Sequence, residues 1–371
     1  GAKGLAEKHA HLVRVDVEPS EILFRGSDET AQLRAVAVWS DGSREDVTPL
    51  CRFQTNNEEV AKINDTGLVS AGGSGDTHVV VFYDNGVGPV PVLRPVSNDT
   101  GIAYPDVPTP TEIDRLVLQK LKKLRIVPSE LSTDAEFLRR VSLDMTGSLP
   151  TPAEIEQFLS DSSPDKRSAK IDELLERPAY AAWWATKLCD VTGNNDTALN
   201  NVVPKRSQAS QDWFDWIERR VADNVPYDAL VAGIVLSVSR KPDESYQDYC
   251  EQLAAIYAKG SERSYDERDT MPHYWARRTA TKAEDRALSF SYSFLAIQIQ
   301  CAQCHKHPFY QWTQDDYKQF TNVFEGLRYG LRPDARKEQQ AMLADLGIDG
   351  LKGGQLARSQ AQLLDEGNVV P

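Results

Sequence analysis

No run of eighteen apolar residues occurs in this chain, so nothing in it reads as a membrane span. Positive charge is short as well. Lysine and arginine number 42 against 55 aspartates and glutamates, a formal net charge of -13. That balance argues against a nucleic-acid or anionic-membrane surface, both of which need basic patches. There is no Gly-x-Ser-x-Gly elbow and no phosphate-cradling loop, so neither a hydrolase triad nor a nucleotide grip is in view. No signal peptide is visible: the chain opens Gly1-Ala2-Lys3-Gly4 and turns polar, which reads as a mature or engineered start. Sulfur and imidazole are scarce, with five cysteines, three methionines and six histidines. Where they gather is therefore informative.

Cys301-Ala302-Gln303-Cys304-His305 gathers three of them. Two thiols three apart, with a histidine directly after the second, form the pattern for covalent c-type haem attachment. Each thiol can add to one haem vinyl group, and the imidazole that follows can bind the iron axially. A redox dithiol is one alternative. Half of a zinc site, with His307 as a fourth ligand, is another. The second axial ligand has few candidates: Met145, Met271, Met342, His9, His11, His78 and His273. Met271-Pro272-His273 lies about a dozen residues before the helix that leads into Cys301, so His273 and Met271 are the leading candidates. Met145 reads first as a core residue. His307 can serve a propionate, a second metal or solvent, but two residues from His305 it cannot reach the opposite face of the same iron. Arg277 and Arg278 read as propionate partners or, more simply, as a solvated basic pair. Cys189 and Cys250 are left over and are candidates for a disulfide in an oxidising compartment.

Length allows two or three domains. Residues 12–95 read as an all-β sandwich. Leu12 to Val17 and Ala31 to Trp39 alternate apolar and polar, Asp41-Gly42 is a hairpin turn signal, and four further short strands follow, ending with His78 to Tyr83. Cys51 should pack in its core. Residues 96–110 are a linker, with turn chemistry at Ser97 to Gly101 and proline at 105, 108 and 110. Residues 111–330 read as helical. Thr109/Glu112, Thr133/Glu136, Thr151/Glu154, Thr281/Glu284 and Thr313/Asp316 have capping-box spacing, and Ser163-Pro164-Asp165 is a further cap signal. Helical stripes are expected at Ile113, Leu116, Val117, Leu121 and Leu124, at Ile155, Phe158 and Leu159, and at Ile171, Leu174 and Leu175. Trp213 and Trp216 read as core. One long helix is expected from Glu284 to Gln300, and Pro308 ends any helix after the motif. Residues 331–371 read as a polar, glycine-containing segment with one helix near Ala335 to Leu346.

The run Asn57 to Ala71, NEEVAKINDTGLVSA, resembles the group 2 bacterial immunoglobulin-like domains. Ile113-Asp114-Arg115-Leu116-Val117, the run Arg139 to Pro152, Asn224-Val225-Pro226-Tyr227-Asp228, and Gln298 to Phe309 continuing to Tyr317 resemble the second type of planctomycete cytochrome-like domain. That resemblance covers roughly residues 110 to 330. It implies an exported bacterial protein whose signal has been removed, with haem c held by Cys301, Cys304 and His305. It supplies no settled activity. It also implies that a second planctomycete-specific domain or subunit follows. Three functions are carried forward: an extracytoplasmic electron-transfer protein with a redox partner protein, a haem enzyme acting on peroxide or an extracellular substrate, and a non-haem interaction protein with a structural metal.

Overall fold

Period-two apolar spacing builds the first part of the chain and capped amphipathic segments the second. The structure is a computed structural model and describes residues 10–97, 104–199, 202, 208–236, 238–307, 310 and 312–371. His9, Pro308, the residues at 98–101 and the start at Gly1 to Gly4 lie outside the described residues. Packing divides the chain into two units, Gly1–Leu131 with Ile299–Gln319, and Ser132–Gln298 with Phe320–Pro371. This division differs from the boundaries expected from composition. The motif segment belongs to the unit that holds the strands, and the segment after 331 belongs to the helical unit.

Among the described residues of the first unit, ten strands form three sheets. They are β1 (Leu12–Glu18), β2 (Ile22–Leu23), β3 (Thr30–Gln32), β4 (Arg34–Trp39), β5 (Arg44–Asp46), β6 (Arg52–Thr55), β7 (Ala61–Ile63), β8 (Leu68–Ala71), β9 (Gly75–Tyr83) and β10 (Gly86–Arg94). The sheet orders are β1-β4-β5, β2-β10-β9-β6 and β3-β8-β7. Alternate residues of each long strand point inward: Val79 and Val81 of β9 and Val90 and Val92 of β10 join Phe24, Leu33, Val47 and Val69 in one core. Cys51 packs at its edge and donates to the Val47 carbonyl. The Asp41-Gly42 turn joins β4 to β5 as expected. β10 was not among the strands expected, and it carries Pro89 and Pro91. They are tolerated because β2 pairs only with Val92 and Leu93, leaving that edge open beside the prolines. Gly86 and Gly88 have a different reason. A Cβ there would sit 2.6 Å from Val15 Cγ2 and 2.5 Å from Val17 Cγ2, so β1 crosses β10 where side chains are missing.

Helix α1 (Glu112–Leu124) docks on these strands through Lys120–Asp76 and Lys123–Glu21 ion pairs. Its cap is Thr111 with Asp114, two residues later than expected at Thr109. Its expected apolar stripe is largely outside: Ile113, Leu116 and Val117 are exposed, and Leu118 and Leu124 are buried.

The second unit holds α2 (Asp134–Thr146), α3 (Pro152–Ser160), α4 (Lys166–Leu175), α5 (Pro178–Thr192), α6 (Asp196–Leu199), α7 (Ala209–Ala222), α8 (Tyr227–Val235), α9 (Tyr246–Tyr257), α10 (His273–Ala276) and α11 (Ala283–Phe290). Thr133/Glu136 and Thr151/Glu154 are reciprocal capping boxes, and Ser245/Asp248 is one the sequence reading missed. Asp165 caps α4 without a side-chain bond. Phe158 and Leu174 carry the burial of their stripes. Trp213 and Trp216 are fully buried beside Ile217, Ile234, Met271 and Tyr274, confirming them as core.

The expected long helix to Gln300 does not form. Helix α11 stops at Phe290, Ser291–Leu295 make one wider turn, and Ala296 takes a left-handed φ of 53°. Ser291 and Ser293 explain the stop. Their hydroxyls donate to the Ile297 and Val191 carbonyls, offering the backbone partners outside the helical ladder. α12 (Gln314–Asn322) begins at the expected Thr313/Asp316 box. α13 (Arg336–Asp345) was expected. α14 (Gly353–Asp365) was not: two glycines open it, yet it buries Ala357, Gln360 and Leu364.

Substituting Gly88→Ala should destabilise the β unit by about 1–3 kcal/mol through overpacking against Val17. Val17→Ala in the same chain should recover much of that loss. Denaturant unfolding of the two variants and the double variant tests it; additive losses would show that the crossing is not tight.

Candidate functional site

Residues Ile299–Gln303 form a tight 3-10 turn. The Cys301 carbonyl accepts from both the Cys304 and His305 amides, at 3.4 and 3.3 Å. Ile299 and Ala302 are buried under the turn, while Cys301 and Cys304 are exposed free thiols on its outer side. α12 braces the turn from its first residues: Gln314 Nε2 donates to the Gln303 carbonyl and Gln303 Nε2 to Tyr317 Oη, both at 2.8 Å. Asp316, the acid of the Thr313/Asp316 box, is fixed by the Thr313 amide, which also holds its carboxyl below the usual range.

The two histidines of the loop are set up differently. His305 Nδ1 donates to the Lys306 carbonyl at 2.6 Å, since a carbonyl can only accept. Its Nε2 is then the nitrogen with a bare lone pair. His307 is buried and not solvent-facing as the simplest reading of the sequence had it. Its amide donates to the Trp312 carbonyl at 2.8 Å, its ring lies 4.8 Å from that of Tyr310, and its Nδ1 accepts the Tyr310 amide at 3.2 Å. In the neutral ring the proton must then be on Nε2. His307 holds the loop together and offers no bare nitrogen. Among the described residues, no group of three or more His, Cys, Asp or Glu side chains is placed to hold a metal ion. The four-ligand arrangement of Cys301, Cys304, His305 and His307 is therefore not formed here.

His305 also lines a groove of about 430 Å³ within the first unit. Opposite it stand Leu50, Arg52, Phe82 and the β9–β10 turn at Asp84 and Asn85. The donor set fits haem c: two exposed thiols at the required spacing, and an imidazole with Nδ1 engaged and Nε2 open.

Met271 and His273 belong to the second unit. Met271 is fully buried in its core, with its amide bonded to the Gly233 carbonyl at 2.8 Å. His273 is buried against Tyr265, ring centroids 5.3 Å apart, and neither ring nitrogen has a hydrogen-bond partner. Burial pushes its pKa down to about 4, so the ring is neutral. Within their own unit both side chains are enclosed. Of the other candidates, His11 is exposed, while His78, Met145 and Met342 are half-buried on β9, α2 and α13.

Two further expectations are corrected. Cys189 and Cys250 are free thiols, packed in separate clusters, one with Trp213 and the other with Tyr246 and Ala335. Burial raises both to about 11, which keeps them protonated. Arg277 is not part of a solvated pair. It is buried, donates to the Thr192 and Tyr274 carbonyls and to Ser289, and lies 4.2 Å over the Tyr274 ring. Arg278 is exposed.

These features define a class: a chain of β-strand sheets followed by helices, carrying a cysteine-histidine turn braced by a capped helix. Residues 112–329, more than half of the chain, match the family model PSCyt2, described as a protein of unknown function, DUF1549. The chain belongs to that family. No curated protein matches it.

Two features of the helical unit carry no motif. Another cavity, about 580 Å³, is walled by Tyr246, Tyr249, Trp275 and Tyr329 with Arg328 and Arg332 at its side. Among the described residues, no thiol or imidazole lines it. The second feature is Asp212, buried on α7 and accepting the Tyr257 hydroxyl at 2.6 Å. Burial raises its carboxyl to about 6. A raised carboxyl pKa favours folding only while the proton is on. Stability should therefore fall as pH climbs from about 4 through about 6, by up to about 3 kcal/mol. Asp212→Asn keeps an acceptor for Tyr257 and removes the charge. Denaturant unfolding across that range should show this fall flattened in the variant, with the two proteins converging near pH 4. Parallel curves would exclude the effect.

Proposed function

We propose that the chain is an extracytoplasmic c-type haem protein that carries one covalently attached haem and passes electrons to a redox partner protein. The observation that carries the reading is the turn itself: two exposed thiols and one imidazole whose Nδ1 is occupied and whose Nε2 is open. In this reading Cys301 and Cys304 supply the two sulfurs that become thioethers. His305 Nε2 is the proximal ligand, and the Lys306 carbonyl on Nδ1 makes that nitrogen a stronger donor. When bound, the haem supplies one-electron exchange at its iron. The protein's own part is to orient the imidazole, hold the thiols outward and keep the turn rigid through Gln303, Gln314 and Tyr317. The β unit is proposed as a group 2 bacterial immunoglobulin-like module, which fits the run Asn57 to Ala71 and the sheet arrangement. Export follows from the chemistry proposed, because thioether formation of this kind takes place outside the bacterial cytoplasm.

The chain should be produced in a host competent in cytochrome c maturation and denatured before analysis. Covalent haem should persist, and its pyridine haemochrome should show both vinyls consumed. Cys301→Ala with Cys304→Ala should abolish it. His305→Ala should keep the covalent link and change the iron's coordination spectrum. Wild-type protein isolated from such a host with unmodified thiols would end this reading.

A further inference from the structure

We propose that the β unit walls the haem site and that Arg52 is the partner of a haem propionate. The inference rests on the haem reading above and adds a ligand-binding role for the β-strand region. Its basis is the groove that His305 shares with the strands. At about 430 Å³ it falls in the size range of small-molecule and cofactor sites. Three observations in that groove point the same way.

The first is charge. Arg14, Arg34 and Arg44 of the same unit each pair with an aspartate. Arg52 has no ion pair among the described residues. Its guanidinium carbon lies over the Phe82 ring, 4.2 Å from the centroid. The cation–π contact offsets part of the cost of holding the charge there without an acid. A guanidinium in that position suits a carboxylate, which binds it edge-on with two parallel bonds.

The second is exposed apolar surface. Leu50, at the end of the short turn before β6, is 68% exposed. An aliphatic side chain left this open beside a ligating imidazole has a natural cover in a porphyrin, which is flat, largely apolar and carries its carboxylates along one edge. Phe82 and Val87 extend the apolar wall.

The third is the turn that shapes the groove. Asp84 takes a left-handed φ of 52°, so Asp84 and Asn85 form a tight two-residue link between β9 and β10. The paired strands Tyr83↔Gly86 and Phe82↔Val87 fix its position. The wall opposite His305 is therefore set by a hairpin. Among the described residues, Asp84 is the one acid lining the groove and Arg52 the one arginine or lysine.

A cation beside a propionate disfavours the more positive ferric state. Removing it should lower the iron's midpoint potential. The experiment uses the full haem-loaded chain and compares wild type, Arg52→Gln, Arg52→Lys and Arg34→Gln by spectroelectrochemical titration. Arg34→Gln removes the same charge from a surface pair with Asp46, away from the groove lining. The expected result is a downward shift for R52Q, a value near wild type for R52K, and no shift for R34Q. Equal potentials for R52Q and R34Q would overturn the proposal, as would an R52K shift as large as that of R52Q. Covalent haem content is measured on the same samples. Its absence from wild type rejects the haem reading and this inference together. Full haem content with an unmoved potential rejects this inference alone.

Discussion

A unit made of short helices has many chain ends, and every end leaves carbonyls that no amide reaches. In the helical unit, buried and half-buried guanidinium groups fill that need. Arg277 takes the Thr192 and Tyr274 carbonyls. Arg286 takes those of Ala280 and Leu327. Arg220 takes those of Trp216, Asp266 and Arg268. Arg268 takes that of Ser239 and adds a buried pair with Glu244. A buried carbonyl left unsatisfied costs about 1–3 kcal/mol. Taking a cation out of water costs several kcal/mol unless it is compensated. Burial accordingly lowers the pKa of Arg277 and Arg286 and brings Arg220 down to about 10. Aromatic faces offset part of this: Trp216 lies 3.6 Å beneath Arg220 and Tyr274 lies 4.2 Å from Arg277.

These anchors govern how the chain approaches the site. Arg286 ties the start of α11 to the carbonyl at Leu327, so the chain before residue 298 and the chain after 320 are held in one unit. Between them lies the segment 299–319, which carries the thiols and His305. With α11 ended by the serine hydroxyls, the thiols sit on a separate short turn with its own supports. A turn braced by side-chain amides and a capping box can be rigid without being the end of a long helix.

What could be read from the sequence was local. Capping boxes at Thr133, Thr151 and Thr313 each lie within four residues, and the structure forms them where they were expected. The alternation of β4 and β9 is likewise written residue by residue. Pairing across the fold was not legible. Pro89 and Pro91 look prohibitive until the partner strand is seen to cover only Val92 and Leu93. Gly353 and Gly354 look like breakers until α14 is seen to bury Leu364. Arg277 reads as solvated because its partners, the Thr192 carbonyl and Ser289, are set by tertiary structure. For the site, the thiol spacing was visible and the supporting bonds were not. Gln303, Gln314 and Tyr317 carry no motif, and they matter only through where the turn places them.

The same limit explains the two histidines. Sequence separates His305 from His307 only by place in the motif and says nothing of which ring nitrogen each has to spare. A neutral imidazole has one donor nitrogen and one acceptor, and the backbone around each ring decides which is which. At His305 a carbonyl faces Nδ1, so the proton stays there and Nε2 is bare. At His307 an amide faces Nδ1, so the lone pair is used and the neutral ring keeps its proton on Nε2. One loop thus leaves Nε2 of the first ring bare and ties Nδ1 of the second into the loop. A site needing both imidazoles on a metal would have to break the Tyr310 amide bond and expose a buried ring. A site needing one imidazole could leave the turn as it stands.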